Sequence, residues 1–338
     1  MSSVDVVVPC YRYGRYLRDC VQSVLTQAAC DVRVLVIDDE SPDDTPEIGA
    51  ALAEADTRVS YRRHAVNRGH ISTYNEGIAW AQADYMLLLS ADDYLLPGAV
   101  GRAVAMMDAH PEMGLCFGNA VELQVHGGMR PIRVKAGAAS GSFAMSGARF
   151  IELSIRAGAQ NIVPTPSAFV RTRLLKRLGA YRSDLPHSAD LELWLRLAAN
   201  ASVGYIHEDQ AVYRRHDANM SLGYAHDNAL RDLQQRGAAI DAFVDTCRAQ
   251  LPDAAATHAS LTRSLAHDAV GQASQAFNNS RFELSLRACE FAATLHPGIR
   301  RTMAWNRLRV KRDLGPALSA SLLTKVAWIR RFALKSRD

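Results

Sequence analysis

Short runs of β-branched and other apolar residues alternate with amphipathic stretches over the first hundred positions of the chain. The apolar runs cover residues 4–8, 32–37 and 85–89. Between the first two, apolar side chains recur every three to four residues over 16–25, which is the spacing of one helix face. Helical patterns also cover 45–55 and 72–83. This alternation predicts an α/β fold with a doubly wound, mainly parallel sheet and flanking helices.

Acidic residues follow two of the three predicted strands directly. Asp38 and Asp39 come after the second run, and Asp92 and Asp93 come shortly after the third. In open α/β sheets, ligands bind outside the carboxyl ends of the strands, which lie along one edge. The sequence therefore predicts an acidic binding crevice at that edge.

A set of short motifs lies in one order along residues 3–222, on the elements predicted above. The motifs are Val-Val-Val-Pro-Cys-Tyr (6–11), Val-Ile-Asp-Asp-Glu-Ser-Pro-Asp-Asp-Thr (36–45), Asn-Arg-Gly (67–69), Tyr-Asn-Glu-Gly (74–77), Leu-Ser-Ala-Asp-Asp (89–93), Ala-Asp-Leu-Glu-Leu-Trp-Leu-Arg (189–196) and Tyr-Arg-Arg-His (213–216). In these motifs the chain resembles glycosyltransferase family 2, whose members are inverting enzymes with the GT-A fold. The resemblance implies a GT-A catalytic domain over residues 1–225.

The same resemblance implies the reaction. The chain is expected to move a sugar from a nucleotide-sugar donor to a hydroxyl of a glycan or lipid-linked glycan acceptor, in the biosynthesis of a surface polysaccharide or glycoconjugate. The donor leaves as a diphosphate with additional negative charge, which a divalent cation stabilises. We therefore expect dependence on Mn²⁺ or Mg²⁺, bound by oxygen ligands.

The family motifs also imply which residues bind the metal and the donor. Asp93 resembles the metal ligand of the family's D-x-D motif, and Asp92 is expected to face the ribose or the diphosphate. His216 is a second candidate metal ligand, with a structural hydrogen-bonding role as the alternative. Many relatives have an acidic residue at the position of Ser90, so this chain offers two carboxylates at the motif rather than three.

Nucleotide recognition is expected at the ends of the first two strands. Asp39 resembles the aspartate that accepts hydrogen bonds from the base, and Pro9 and Tyr11 resemble the wall beside that base. A carboxylate suits the N–H edge of uracil or thymine, which favours a UDP- or dTDP-sugar. Asn67 belongs to a loop expected to close one side of the donor site, together with Asn75.

Inversion by a single displacement requires one general base for the acceptor hydroxyl. Asp190 is at the position of the family's base, at the start of a predicted helix. Ala189 replaces the glutamate that usually precedes this aspartate. The alternative for Asp190 is a helix cap without a catalytic role.

The chain beyond residue 225 has a helical pattern without strand-like runs, and we predict a helical extension over 226–338. Residues 300–338 contain eleven Lys or Arg and two Asp, so the net charge of +4 belongs to this end. A basic amphipathic segment over about 314–338 could lie on an anionic membrane. A packed terminal helix with a solvated basic face is the alternative.

No apolar run is long enough to span a bilayer, and the first residues do not have the pattern of a signal peptide. We therefore expect a cytoplasmic location, with the inner face of the membrane as a docking surface and no nucleic-acid partner. Two other functions stay open from the residues alone. They are a nucleotidyltransferase-like enzyme and a degenerate transferase that acts as a scaffold.

Overall fold

A computed structural model describes residues 2–27, 30–134, 141–219 and 229–315. Its strands are β1 (Ser3–Cys10), β2 (Asp31–Asp38), β3 (Val59–Arg63), β4 (Tyr85–Leu88), β5 (Tyr94–Leu95), β6 (Met113–Leu123), β7 (Met129–Ile132), β8 (Phe143–Met145), β9 (Phe169–Arg171) and β10 (Ser202–Arg214). Its α-helices are α1 (Gly14–Leu25), α2 (Thr45–Ala55), α3 (His70–Trp80), α4 (Ala99–Ala109), α5 (Gly147–Arg156), α6 (Thr172–Leu178), α7 (Ala189–Ala198), α8 (Ala229–Thr246), α9 (Ala254–Asn278) and α10 (Phe282–Leu295). A further helix is described over 303–315.

One mixed sheet organises the fold, with strand order β3-β2-β1-β4-β9-β6-β10-β5. The pairs β1–β2, β1–β4, β2–β3 and β6–β10 are parallel, whereas β9 and β5 run antiparallel to their neighbours. The predicted α/β fold with flanking helices is therefore confirmed. The three strands predicted from apolar runs occur as β1, β2 and β4.

The sequence analysis did not predict β3. This strand lies at the edge of the sheet and pairs with β2 alone. Only Val59 of its five residues is fully buried, and Arg62 and Arg63 are exposed. An edge strand with one buried position lacks the continuous apolar run that is typical of buried parallel strands.

The central strands are covered on both faces, which explains their continuous apolar character. Successive side chains of a strand point to opposite faces of the sheet. Val7 and Leu35 belong to the core on one face, and Val6, Val8 and Val34 belong to the core on the other. Helix α3 approaches β1 closely through Gly77, where a Cβ would lie 2.2 Å from Val7 Cγ1. This close approach lets α3 pack directly on β1.

The C-terminal helices share a core with the catalytic body. Leu193 and Trp194 of α7 belong to the same buried cluster as Leu233 and Phe243 of α8. Burial of each such side chain contributes on the order of 2 kcal/mol to stability. Helix α8 is therefore held firmly against α7, the helix that begins with Ala189 and Asp190.

The helical character predicted beyond residue 225 agrees with α8, α9 and α10. The predicted domain boundary at 225/226 lies outside the described residues, as does nearly all of the basic segment at 314–338. Within the described ranges, no helix combines the length and apolar character needed to cross a bilayer.

Candidate active site

A cavity of about 1420 Å³ opens at the carboxyl ends of β1, β2 and β4. Seven of the eight residues predicted for the site line it: Pro9, Tyr11, Asp39, Asn67, Asp92, Asp93 and Asp190. The eighth, His216, contacts Asp92 from behind the cavity wall. The strand ends bring Pro9, Asp39 and Asp92 to one edge of the sheet, and the start of α7 brings Asp190 to the same cavity, 181 positions from Pro9.

Asp39 lines the cavity and is buried directly after the end of β2. Its carboxylate accepts the backbone N–H groups of Arg68 and Gly69, each at 2.8 Å. The side-chain amide of Asn67 donates to the Asp39 carbonyl at 2.9 Å. Asp39 therefore holds the 67–69 loop, and Gly69 adopts a left-handed conformation (φ 81°) that suits glycine. Pro9 at the end of β1 and the exposed Tyr11 just after it line the same cavity.

Asp92 is held by two donors from the segment that follows β10. The Nε2 atom of His216 lies 3.0 Å from Asp92 Oδ2, and Asn219 Nδ2 lies 3.2 Å from the same oxygen. Because the N–H of Ala218 donates to His216 Nδ1, Nε2 carries the proton that is donated to Asp92. The rings of Tyr13 and Tyr16 pack on His216 with centroids 5.2 and 5.1 Å away.

Asp93 is 3% exposed, and its Oδ1 atom accepts the backbone N–H of Arg214 at 3.0 Å. Burial raises the pKa of the Asp93 carboxyl well above its ordinary value, and the adjacent charge of Asp92 raises it further. The Arg214 N–H and the charges of Arg214 and Arg215 act in the opposite direction. Two neighbouring carboxylates with little solvent are an arrangement that a cation stabilises.

This donor set fits a divalent cation in part. Carboxylate oxygens are the ligands that Mg²⁺ and Mn²⁺ prefer. In the described part of the chain, however, no three His, Cys, Asp or Glu side chains come together as a metal-binding group. Asp92 and Asp93 can supply part of a cation's ligands, and the remaining ligands would have to come from other groups. His216 can join them as a ligand only if its Nε2 atom leaves Asp92.

Asp190, in the first turn of α7, also lines the cavity. Thr165 Oγ1 donates to Asp190 Oδ2 at 3.1 Å, and the Tyr181 side chain also forms a hydrogen bond with this carboxyl. Burial raises the pKa of Asp190, and these hydrogen bonds and the nearby rings of His70 and His187 partly offset that effect. A carboxyl with a raised pKa is a stronger proton acceptor once ionised.

Asn75 was expected to shape the loop that closes one side of the donor site, but its side chain contacts Tyr181 instead. Its amide forms two hydrogen bonds of 2.9 Å with the backbone N–H and carbonyl of Tyr181. Asn75 therefore fixes the residue that supports Asp190. Glu192 points away from the cavity and forms a buried ion pair with Arg196 at 2.8 Å.

Six charged residues that line the cavity were not predicted for the site. Arg12, Asp43 and Asp44 come from the loops after β1 and β2, and Arg15 comes from the start of α1. Asp232 and Arg236 come from α8. The side chain of Asp232 lies 2.8 Å from His187 Nε2, and Arg236 lies 3.0 Å from Asp232. Nothing in the local sequence of α8 indicates that it reaches the cavity, because its position depends on packing against α7.

Solved structures with a similar fold include S. aureus TarS residues 1–349 in complex with UDP-GlcNAc. It superposes with a TM-score of 0.58 at 14% identity, over 88% of this chain and 92% of that one. The mannosyltransferase PcManGT from Pyrobaculum calidifontis, in complex with GDP-Man and Mn²⁺, has a TM-score of 0.52 at 17% identity, over 86% of each chain. Both structures support the GT-A fold.

Similar sequences include an uncharacterised protein of Mycobacterium tuberculosis, 26% identical over 63% of this chain and 67% of its own length. An uncharacterised glycosyltransferase of Methanocaldococcus jannaschii is 24% identical over 58% of this chain and 65% of its own. Glycosyltransferase GlyG of Streptococcus pneumoniae is 33% identical over 27% of this chain and 30% of its own. The chain thus spans about two thirds of the length of the first two and less than a third of GlyG.

The model of the family described as glycosyl transferase family 2 matches residues 5–177, just over half of the chain. That segment includes β1, β2 and β4 and the carboxylates at their ends. The chain therefore belongs to glycosyltransferase family 2 and is a glycosyltransferase with the GT-A fold.

Proposed function

We propose that the protein is an inverting glycosyltransferase that takes the sugar from a UDP- or dTDP-sugar and transfers it to a hydroxyl of a glycan or lipid-linked glycan. The observation that carries the proposal is the division of one cavity between two kinds of carboxyl group. Asp92 and Asp93 form a buried adjacent pair in its lining, and Asp190, in the first turn of α7, lines the same cavity as a separate carboxyl group. A single displacement needs a cation site behind the leaving group and a base on the other side of the sugar.

At the donor end, Asp39 would accept the N–H of uracil or thymine, with Pro9 and Tyr11 beside the base and Asn67 closing the loop. The similar structures contain UDP-GlcNAc in one case and GDP-Man in the other, so their ligands alone leave both nucleotides open. Asp39, whose Oδ1 atom is already bound by Arg68 N and His64, favours a base with a single N–H, such as uracil or thymine. Arg12 and Arg15 add positive charge where the diphosphate would lie.

Asp93, with Asp92 beside it, would hold a divalent cation. His216 would be a further ligand if its Nε2 atom bound the metal and no longer donated to Asp92. When bound, the cation would supply electrostatic stabilisation of the diphosphate leaving group. The Mn²⁺ in the Pyrobaculum mannosyltransferase structure agrees with this proposal. The donation from His216 to Asp92 orients that carboxylate towards the cavity.

Asp190 would accept the proton of the acceptor hydroxyl. As the acceptor oxygen forms its bond to the anomeric carbon, the bond from that carbon to the diphosphate oxygen breaks, and the electron pair leaves with the nucleoside diphosphate. Thr165 and Tyr181 hold the Asp190 carboxyl during this step. The configuration at the anomeric carbon is therefore inverted.

A panel of nucleotides tests the donor proposal. In isothermal titration calorimetry with MnCl₂, we expect UDP and dTDP to bind more tightly than GDP, CDP and ADP, and chelation of the metal with EDTA to weaken binding of the diphosphates. UDP-sugars should then be hydrolysed slowly to UDP in the absence of an acceptor. Tighter binding of GDP than of UDP would contradict the assignment of the donor.

We also propose a cytoplasmic enzyme of surface polysaccharide or glycoconjugate assembly that docks on the inner membrane face through its basic C-terminal segment. The sequence of residues 316–338, with five Lys or Arg, supports this proposal. At low salt, the full chain should sediment with vesicles that contain about one third phosphatidylglycerol. A chain that ends at Gly315 should sediment with them to a smaller extent. Equal sedimentation of the two chains would contradict membrane docking by this segment, and neutral vesicles serve as the control.

A further inference from the structure

The Asp39 carboxylate has almost no hydrogen-bonding capacity left. Its Oδ1 atom accepts from Arg68 N at 2.8 Å and lies 2.6 Å from His64 Nδ1, and its Oδ2 atom accepts from Gly69 N at 2.8 Å. An ionised carboxylate offers about four lone-pair sites, two on each oxygen. Among the described residues, Oδ1 is therefore fully used, and one acceptor site remains on Oδ2.

His64 is fixed in this position from both sides. Its ring is 5% exposed, and its Nε2 atom lies 2.9 Å from Glu76 Oε2. Glu76 in turn lies within 4 Å of the guanidinium groups of Arg62 and Arg68. Each ring nitrogen of His64 lies within hydrogen-bonding distance of one carboxyl group. His64 thus bridges Asp39 and Glu76 and cannot turn without losing one of these hydrogen bonds.

We infer that His64 determines the nucleobase specificity of the donor site by occupying Asp39 Oδ1. The inference rests on the proposed role of Asp39 in binding the base. A carboxylate with both oxygens available suits guanine, because N1–H and the N2 amino group are adjacent donors that can bind one oxygen each. With one acceptor site left on Oδ2, Asp39 suits a base with a single ring N–H between two carbonyls. Uracil and thymine are such bases.

The same geometry sets the expected penalty for guanine. Guanine at this site would place two donors against one acceptor site, so one buried N–H would have no partner. A missing hydrogen bond of this kind lowers affinity about 10-fold or more. Discrimination would therefore arise from a side chain that does not itself touch the base, which makes His64 a positioning residue.

Calorimetric titration of the full chain with UDP and GDP, both with MnCl₂, tests the inference. The parent should bind UDP about 10-fold more tightly than GDP. His64→Leu frees one acceptor site on Oδ1, which still accepts from Arg68 N, so we expect weaker UDP binding and a UDP-to-GDP affinity ratio close to one. His64→Gln, whose amide can donate to Asp39, should recover part of the ratio. His110→Leu removes an exposed histidine that pairs with Glu112 and is the matched control.

The outcomes separate the inference from the proposed function. An unchanged ratio in a folded His64→Leu variant that binds UDP would overturn the role of His64 and leave the donor proposal intact. Absence of UDP binding by the parent would overturn both. Should His64→Leu not fold, Glu76→Ala provides a second route, because the Glu76 side chain is 27% exposed. Glu76→Ala removes the hydrogen bond on one side of His64 and should lower the UDP-to-GDP affinity ratio about 3-fold. An unchanged affinity ratio in this variant would also overturn the inference.

Discussion

Replacement of Asp190 by Asn should lower sugar transfer about 10²- to 10⁴-fold and leave nucleotide binding within about 2-fold of the parent. The asparagine keeps the size of the side chain, and its Oδ1 atom can still accept from Thr165. It cannot take a proton from the acceptor hydroxyl. Because the hydrogen bonds that hold Asp39, Asp92 and Asp93 come from other residues, the nucleotide site should not change.

The pH dependence of the parent provides a second measurement of the same role. Burial raises the pKa of Asp190, and a general base acts only when it is ionised. As pH falls, kcat/KM for transfer should therefore begin to decrease at a higher pH than an ordinary aspartate would give. This acid limb should be absent from the residual activity of Asp190→Asn.

A matched control is Asp184→Asn, since Asp184 is an exposed aspartate of the same segment that pairs with Arg182. Its transfer rate and its calorimetric UDP affinity should equal those of the parent. If Asp190→Asn transfers sugar at the parent rate, Asp190 is not the base. Loss of UDP binding by Asp190→Asn would indicate that Asp190 has a structural role instead.

Replacement of Asp93 by Asn should remove the metal dependence of nucleotide binding and lower transfer by about 10²-fold or more. Asparagine retains an oxygen for the Arg214 N–H, so the segment after β10 should stay in place. The substitution would therefore remove only the negative charge of the side chain. In calorimetry, MnCl₂ should strengthen UDP binding to the parent and have little effect on the variant.

The stability of the Asp93 variant should separate this role from a structural one. Because the folded-state pKa of Asp93 is raised, the ionised carboxyl destabilises the metal-free fold progressively as pH rises through that pKa. At neutral pH without metal, Asp93→Asn should therefore have a Tm at least equal to that of the parent. Added MnCl₂ should raise the Tm of the parent and not that of the variant.

Asp245→Asn is the control for this second variant, because Asp245 is an exposed aspartate on α8 that pairs with Arg248. It should keep the parent response to MnCl₂ in both measurements. A strong response of Asp93→Asn to MnCl₂ would contradict metal binding by Asp93.

The sequence by itself determined the central strands and the edge of the sheet at which the site forms. Buried parallel strands require apolar side chains on both faces, and that requirement is visible in the runs that became β1, β2 and β4. Carboxyl groups that follow such strands must meet at one edge, whatever the rest of the fold does. For this reason Asp39, Asp92 and Asp93 could be assigned to one cavity from the order of residues.

The tertiary structure alone decided which partners hold those carboxyl groups. Asp92 is bound by Asn219, which lies 127 positions away, and Asn75 supports Tyr181 across 106 positions. Asp232 reaches the cavity only because α8 packs on α7. Such contacts depend on how helices and loops pack over long distances, and periodicity within one segment contains no information about them. The carboxylates of the site could therefore be predicted from the sequence, whereas their protonation, orientation and remaining hydrogen-bonding capacity depend on the folded protein.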